Sequence, residues 1–417
     1  MRFSGFSGFS RFSRFSGFSE FSGFWWCVLM LACSAGSAAA QSATTGHVSV
    51  FLDHLPNRDA TELRARAFAE QKLEAGPRVR LTASGFVEGL LADRKGKVTD
   101  ALFEPQELTI TVRSKRLDVS AGLARVVWGR LDELQPTDVI NPIDVSRFFF
   151  EGRSEARLAV PLARATVYAG DNASVEGVYV PFFRRGRFDR LAEESSPFNL
   201  VPGVPFVDRS PPRTAANAQG GARLNVTSGR VDWSVSTYRG FRPLGLYRAA
   251  SLSEINRVYP RFTMLGGDIE TVAGPWVVRG EVAVFPRDAF QAADRAVVLP
   301  GRSFDAGAGL DRKAGDYRVS GQVLVHRERY DAGPHRTDVS LIVSADRSFA
   351  REKYSGRLFG VYNPKSGAGF VRGIASASVR DNVALESSVG WFGRRGLDSI
   401  GRFADSDFIY LRLKYFF

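Results

Sequence analysis

Arginine, lysine and glutamate recur at alternate positions in segments of this sequence whose other positions are apolar. Side chains of a β-strand alternate between two faces, so each such segment presents one apolar face and one charged face. If the charged faces surround a water-filled space, their slightly basic lining attracts small anions; alternatively, the charges pair across strands and only stabilise the sheet. The residues predicted to line this space are Arg113, Arg279, Arg318, Arg372, Arg412, Lys414, Glu281 and Glu386.

A second group of polar residues follows the pair Trp128-Gly129. It comprises Asp132, Glu133, Asp138, Asn141 and Asp144, in a segment stiffened by Pro136 and Pro142. In one interpretation the segment folds inward and its carboxylates form a constriction opposite the arginines. In the other it is a rigid external loop. We expect Trp128 to end a strand at the level of lipid headgroups, where such aromatic residues are enriched. The spacing of the carboxylates does not match a calcium loop.

A third group, Arg184, Arg185, Arg187 and Arg190, lies in one predicted loop. It is a candidate for binding the phosphate groups of lipopolysaccharide or for attracting anionic solutes. The simpler interpretation is a solvated loop.

The sequence gives little support to catalysis. Four histidines, His47, His54, His326 and His335, are dispersed without a metal-binding spacing. Ser320 and His326 share a strand face but lie about 20 Å apart, too far for a nucleophile and its base. No phosphate loop, dinucleotide fingerprint or haem motif occurs. We therefore predict no enzyme activity, no cofactor and no metal, and a barrel enzyme is the least favoured alternative.

The C-terminal strand indicates how these residues are positioned. Ile409, Leu411, Leu413, Tyr415 and Phe417 share one apolar face, and the printed sequence ends on that last aromatic residue. This ending resembles the signal by which outer-membrane barrels are recognised for insertion, and it favours a transmembrane barrel.

The connections between alternating segments support the same fold. Short turns are predicted at 74–77, 114–116, 169–172, 228–230, 273–275, 313–316 and 380–382. Longer connections are predicted near 92–105, 130–153, 186–215, 241–257, 286–298, 329–336 and 394–404. Short turns at one end and long loops at the other are typical of outer-membrane barrels. We predict an all-β, antiparallel, up-and-down transmembrane barrel of about 18 strands, with 16 strands or a soluble β-sandwich as alternatives.

Composition excludes several classes of protein. Hydrophobic residues make up 44% of the 417 residues, and no long apolar run follows the N-terminal region, so a helical membrane protein is excluded. The net charge is +12, but the arginines are dispersed, which argues against nucleic acid as a partner. An arginine-bearing start, an apolar stretch from Phe24 and an Ala38-Ala39-Ala40 cleavage pattern predict a signal peptide over 1–40 and a barrel over 41–417. Cys27 and Cys33 both lie in that peptide.

The stretch from Leu117 to Gly129, followed by Asp138-Val139-Ile140-Asn141-Pro142-Ile143-Asp144, resembles an uncharacterised family of proteobacterial outer-membrane β-barrels. In that family a strand ending in Trp-Gly precedes a loop carrying Asn-Pro. The segment Val180-Pro181-Phe182-Phe183-Arg184 shares the likeness, whereas Leu123 and Ala124 depart from the family pattern. The resemblance implies an outer-membrane barrel that transports apolar or lipid-like compounds with a periplasmic partner.

These observations predict a channel or transporter in the cell outer membrane of a Gram-negative bacterium, passing small or lipid-like solutes without its own energy input. Its expected partners are outer-membrane lipid, lipopolysaccharide and the barrel-assembly machinery. A structural or receptor barrel with a filled lumen is the alternative.

Overall fold

The computed structural model describes residues 41–251, 253–292, 296–331, 333, 335–396 and 398–417. The predicted signal peptide, with both cysteines, lies outside these ranges. The strands are β1 (Gln41–Leu55), β2 (Ala60–Ala75), β3 (Val79–Arg94), β4 (Lys97–Arg113), β5 (Leu117–Ala124), β6 (Val160–Ala169), β7 (Ala173–Val180), β8 (Val207–Arg209), β9 (Gln219–Ser228), β10 (Val231–Phe241), β11 (Leu246–Ala249), β12 (Ile255–Val258), β13 (Arg261–Ala273), β14 (Trp276–Gln291), β15 (Val298–Ala314), β16 (Tyr317–Tyr330), β17 (Arg336–Phe349), β18 (Tyr354–Tyr362), β19 (Gly369–Arg380), β20 (Val383–Gly393) and β21 (Phe408–Phe416). Two short helices, α1 (Val145–Glu151) and α2 (Arg153–Ala156), lie between β5 and β6.

Eighteen of these strands form one closed antiparallel barrel, in which each strand pairs with its neighbours along the chain. The barrel closes between β1 and β21, with a register running from His47 opposite Phe416 to His54 opposite Ile409. Two further backbone hydrogen bonds of 3.0 Å join Gly46 and Phe417. The predicted all-β barrel of 18 strands is confirmed, and the alternatives of 16 strands and a sandwich are wrong. The remaining strands, β8, β11 and β12, form a separate small sheet.

Both ends of the barrel chain lie at the end that carries the short turns, here called the terminal end; the opposite end is the loop end. All seven predicted short turns connect strands at the terminal end. The long connection predicted over 92–105 is wrong. There β3 and β4 continue to a two-residue turn of Lys95 and Gly96, both with positive φ. The charged residues of 92–105 alternate along β3 and β4 and do not mark a loop.

The outward face of the barrel is apolar. Val50, Val282, Val323 and Leu358 are each at least 38% exposed, and the C-terminal set Ile409, Leu411, Leu413, Tyr415 and Phe417 is at least 50% exposed. Polar side chains between them are buried on the inside. A sheet with its apolar face outward and its polar face inward suits a lipid surround. Among the described residues, no helix is long and apolar enough to cross a membrane.

Two hydrophobic clusters fill much of the loop-end half of the barrel interior. One packs Phe149 and Phe150 of α1 against inward-facing aromatic residues of β19, β20 and β21. The other surrounds Trp128 on the wall formed by β5, β6, β7, β10, β13 and β14. Both clusters contain side chains of the connection from β5 to β6 packed against side chains of the wall, so this connection lies inside the barrel.

Candidate functional site

The connection of residues 125–159, here called the inner loop, is fixed to the wall at both of its ends by Asn141. The side-chain oxygen of Asn141 accepts a hydrogen bond of 2.7 Å from the N–H of Val126. Its amide donates to the carbonyl oxygens of Ala124 (3.2 Å) and Leu158 (2.8 Å). One buried side chain therefore satisfies the backbone where the chain leaves β5 and where it returns to β6.

Trp128 lies deep in the interior. The side chain is 1% exposed, its indole N–H donates to Glu176 of β7 at 2.6 Å, and its ring meets Tyr238 edge-to-face at 6.2 Å. The expectation that Trp128 ends a strand at headgroup level is wrong. The strand ends earlier, at Ala124, and the chain then turns inward because a buried indole N–H finds its acceptor there.

Glu281 of β14 anchors the middle of the inner loop. Its carboxylate accepts hydrogen bonds from the backbone N–H groups of Arg130 (3.0 Å), Leu131 (3.3 Å) and Thr137 (2.7 Å), and from the Thr137 hydroxyl (2.8 Å). The loop covers Glu281, which is only 4% exposed. It points inward as expected, but it holds the loop rather than lining open space.

Two loop carboxylates reach the opposite wall. Asp132 lies 3.0 Å from Arg279 and 3.6 Å from Arg318, and Glu133 pairs with Arg357 of β18. Burial raises the pKa of Glu133, and the nearby Asp132 carboxylate adds to this, although Arg357 opposes it. Acidic side chains of the loop are thus in direct contact with arginines of the wall.

The other three predicted loop residues maintain the fold of the loop. Asp138 accepts hydrogen bonds from Arg153 (3.2 Å) and Arg157 (2.8 Å). Asp144 caps α1 by accepting from the N–H of Arg147 at 3.1 Å. Asn141 acts at the ends of the loop, as described above. None of these three lines the cavity described below.

Glu151, at the end of α1, is the centre of a buried charge cluster. Its carboxylate lies 2.7 Å from Arg66, 2.8 Å from Arg147, 3.6 Å from Arg190 and 3.9 Å from Arg412. Burial alone would raise its pKa, but the surrounding guanidinium groups, with Arg147 and Arg66 foremost, hold it well below the ordinary value. The four arginines also have other carboxylate partners: Arg66 and Arg190 lie beside Glu88, Arg412 beside Glu386 and Arg147 beside Glu155. The cluster is therefore a network of alternating charges.

Phe86 of β3 holds three of these arginines in place. The guanidinium carbons of Arg66, Arg147 and Arg190 lie 4.9, 5.1 and 4.8 Å from the centre of its ring. The faces of aromatic rings attract cations, so Phe86 partly offsets the repulsion among them.

A cavity of about 910 Å³ lies between the inner loop and the wall, towards the terminal end. Its lining includes ten Arg or Lys side chains and six Asp or Glu side chains, so it is basic overall. Of the predicted lumen residues, Arg318, Arg372, Arg412, Lys414 and Glu386 line it, as do the loop residues Asp132 and Glu133.

The remaining predicted lumen residues lie outside the cavity lining. Arg279 lies behind it, paired with Glu270, Asp311 and Asp132. Arg113 is the last residue of β4, exposed at the terminal end.

Residues 181–206, here called the cap segment, cover the interior from the loop end. Asp189 is fully buried and makes two hydrogen bonds with Arg64, and Arg94 lies 3.3 Å away. Burial would raise the pKa of Asp189, but these arginines, Arg64 above all, lower it. Phe198 stacks on Phe149 of α1 with 5.5 Å between ring centres. The cap segment and the inner loop therefore pack as one body.

Each of the four arginines at 184–190 has an acidic partner, and only Arg190 is fully buried. Arg184 and Arg187 both pair with Glu104, and Arg187 also pairs with Asp144 at 3.0 Å. Arg185 pairs with Glu193 at 2.8 Å, and Arg190 lies 3.2 Å from Glu88. The interpretation as a solvated loop is wrong, because the segment packs against the interior and its arginines pair with acidic side chains. This pairing also disfavours the segment as a phosphate site.

The histidine and serine considered for catalysis have separate partners. His326 contacts Asp305 at 2.5 Å and Glu328 at 3.2 Å, and the Ser320 hydroxyl pairs with that of Ser344 at 2.8 Å. Within the described parts of the chain, no group of three His, Cys, Asp or Glu side chains could hold a metal ion.

The importance of α1 and the cap segment was missed at the level of sequence. Asp144 followed by the apolar triplet 148–150 and then Gly152 is the pattern of a short capped helix with a buried face. The pairing of Asp189 with Arg64 has no comparable local signal, since 125 residues separate them.

No family model and no curated protein matches this sequence. Solved structures do match. OccK5 (OpdH) of Pseudomonas aeruginosa aligns with a TM-score of 0.51 at 10% identity, over 90% of this chain and 97% of that one. OpdK of the same organism, crystallised with vanillate, aligns at 0.51 and 10% identity over 91% and 98%. A further OpdK structure, described as an outer membrane protein, aligns at 0.51 and 11% identity over 90% and 98%. At such low identity the likeness establishes the barrel fold alone.

Proposed function

We propose that the protein is an outer-membrane channel that passes small solutes, preferentially anions, without its own energy input. The observation that carries this proposal is the basic cavity beneath the inner loop, whose lining includes the ion pairs of Asp132 with Arg318 and of Glu133 with Arg357. Opposed charges around a constriction orient a polar solute and select by charge.

The fold supports the proposal. The apolar outer surface fits a bilayer, and the structural neighbour OpdK is described as an outer membrane protein. Its crystal contains vanillate, a small aromatic carboxylate. Phe148 and Phe359 lie beside the arginines in the cavity of the present chain, so an aromatic carboxylate is a suitable test solute. The polar lining favours hydrophilic over lipid-like solutes.

A solute that enters from the loop end must pass the cap segment and α1. Phe149, Phe150 and Phe198 fill this half of the interior. Passage is therefore narrow, or it requires the cap segment to move, and we expect low conductance from the native protein.

Export and insertion complete the proposal. Residues 1–40 direct the chain across the inner membrane, and the barrel-assembly machinery recognises the C-terminal strand. The loop end then faces outward, as it does when both ends of a barrel chain are periplasmic.

The test is the conductance and ion selectivity of refolded residues 41–417 in a planar bilayer. We expect small steps with a mild preference for chloride over potassium. A barrel that is folded, as shown by heat-modifiable gel mobility, but silent under all conditions would overturn the channel.

A structural or receptor barrel is the second candidate. The burial of Phe198 against α1 favours it, because the cap segment closes the interior as a protein core would. The variant Asp189→Asn, which weakens docking of the cap segment, distinguishes the channel from the structural barrel. A channel gains conductance in this variant, whereas a barrel with a filled interior stays silent.

A further inference from the structure

Arginines are concentrated on the outer surface at the loop end of five neighbouring strands, β10 and β13 to β16. The set, here called the arginine belt, is Arg239, Arg261, Arg287, Arg302, Arg327 and Arg329. The registers place them side by side. Arg239 and Arg287 both lie opposite Thr263, Arg302 lies opposite Arg329, and Arg327 lies opposite Phe304.

The alternation of each strand places these side chains outside the barrel. On β16, Arg327 stands between His326 and Glu328, which contact each other inside. On β15, Arg302 precedes Ser303, which is buried and donates to Asp288 in the interior. The belt therefore faces the surroundings of the barrel and not its lumen.

Within the ranges that the structure describes, the belt has no acidic partners. Five of its members, all except Arg261, are exposed and form no ion pair with any described residue. Arg261 is half-buried over the Phe241 ring and donates only to neutral oxygens, those of Ala216 and Asn217. Like charges directly opposite each other in a sheet are destabilising, so the Arg302–Arg329 pair costs free energy unless an anion lies between them.

The height of the belt matches a headgroup layer. Along β16 the outward-facing residues between Tyr317 and Arg327 are Val319, Gly321, Val323 and Val325. Ten residues extend about 33 Å along a strand, which at a tilt of about 40° covers about 25 Å of height, the thickness of the apolar band of such barrels. On β15 the same spacing separates Arg302 from Arg312. The belt thus begins where the apolar band ends.

We propose that the arginine belt binds the phosphate groups of an outer-leaflet glycolipid, the lipid A part of lipopolysaccharide, with one phosphate between Arg302 and Arg329. Guanidinium groups bind phosphate oxygens through paired, charge-assisted hydrogen bonds. The orientation of the belt towards this leaflet rests on the proposed outer-membrane function. The proposal also moves the lipopolysaccharide site from 184–190, whose arginines are paired internally, to the outer wall.

The experiment measures binding of bis-phosphorylated lipid A to the folded, detergent-solubilised barrel, with dephosphorylated lipid A of the same acyl chains as comparator. The test variant is Arg302→Gln/Arg327→Gln/Arg329→Gln. The matched control is Arg312→Gln/Arg347→Gln, two exposed outward arginines at the terminal end that lie over Trp276 and Tyr317. We expect the triple variant to bind phosphorylated lipid at least about tenfold more weakly, the scale of one lost charge-assisted pair, and the control to bind normally.

The proposal would be overturned if phosphorylated and dephosphorylated lipid A bound with equal affinity, or if the control variant lost as much affinity as the triple variant. It would also be overturned if millimolar inorganic phosphate displaced the lipid as effectively as lipid A itself. The single variant Arg329→Gln, expected to weaken binding several-fold, tests the same site if the triple variant does not fold. Conductance of each variant is recorded in parallel. If the barrel binds phosphorylated lipid A but does not conduct, the lipid site stands and the proposed channel function fails. If it conducts but its lipid binding does not depend on phosphate, the channel function stands and the lipid site fails.

Discussion

Arg64 of β2 and Asp189 of the cap segment face each other through two parallel hydrogen bonds, Nη1 to Oδ1 at 3.2 Å and Nη2 to Oδ2 at 2.8 Å. Both side chains are buried, at 2% and 0% exposure. Arg64 also pairs with Glu62 at 2.7 Å, and Arg94 lies near both carboxylates, so Asp189 joins the cap segment to a buried charge network on the wall. The position of the cap segment is therefore determined by this pair together with Arg94.

Replacing Asp189 by Asn removes the charge and keeps the shape. Because Arg64 and Arg94 keep Glu62 as a partner, we expect the free energy of docking of the cap segment to weaken by about 1.5–3 kcal/mol, the contribution of hydrogen bonds to a charged group. Single-channel conductance should rise, and proteolysis within 181–206 should become faster. The control is Asp405→Asn, which removes the partner of the exposed Arg395. Unchanged conductance in a folded Asp189→Asn barrel would show that the cap does not limit passage.

Arg318 and Arg279 provide a matched pair for charge selectivity. Arg318 is half-exposed in the cavity lining, whereas Arg279 is enclosed by Glu270, Asp311 and Asp132. A unit charge about 10 Å from an ion in water is worth about 0.4 kcal/mol, which changes the permeability of that ion about twofold. The anion and the cation shift in opposite directions, so their permeability ratio changes about fourfold. Arg318→Gln should lower the chloride preference by this amount, and Arg279→Gln should mainly lower heat stability. Reversal potentials in a salt gradient measure the difference, and equal shifts would contradict the assignment.

Glu281 is expected to determine whether the inner loop stays docked. Glu281→Ala leaves three backbone N–H groups without their acceptor, at about 1–3 kcal/mol each where they remain buried. Hydrogen exchange at 130–137 should accelerate while the barrel stays folded, and Glu281→Gln should show a smaller effect because one oxygen acceptor remains. Glu70→Gln, in a partly exposed strand pair with Lys72, is the control. Equal protection in Glu281→Ala and the native chain would exclude this role.

The raised pKa of Glu133 predicts a pH dependence. A carboxyl with a raised pKa in the folded chain binds its proton there more tightly, so folding becomes more favourable as the pH falls through that pKa. On the same titration Glu133 loses its charge, Arg357 is freed, and the chloride preference should increase. Asp189 and Glu151 have lowered pKa values, so their ion pairs persist at pH 5 and are lost only well below it. Selectivity should therefore change in mildly acidic buffer without release of the cap. The change should be absent from Glu133→Gln.

Phe417 tests the predicted insertion signal. The residue is 60% exposed on the outward face and closes the barrel through its backbone bonds to Gly46. Phe417→Ser keeps these bonds but removes the terminal aromatic ring, so we expect less protein in the outer membrane and more in the periplasm. Phe349→Ser, at another exposed outward aromatic, is the control. Equal amounts of both variants in the membrane would argue against a role of the C-terminal residue.

The barrel was predictable because its signals are local. Val319, Val323 and Leu411 alternate with polar neighbours, and glycine at 76, 170, 229, 274 and 315 marks short turns through positive φ. The interior was not predictable, because its contacts are distant in sequence. Trp128 finds Glu176, and Arg130 finds Glu281, 151 residues away. The sequence shows that such acceptors exist but not which donor meets them.

The side chain of Asn141 hydrogen-bonds to both ends of the inner loop, where the chain leaves β5 and where it enters β6. Whatever its length, a loop whose two ends are already fastened adds little closure entropy to the remainder of the fold. Residues 127–157 therefore pack against the wall much as a bound peptide would. This segment is the natural unit to exchange when the bore of the barrel is redesigned, since a replacement that keeps Asn141 leaves the pairing of β5 with β6 untouched.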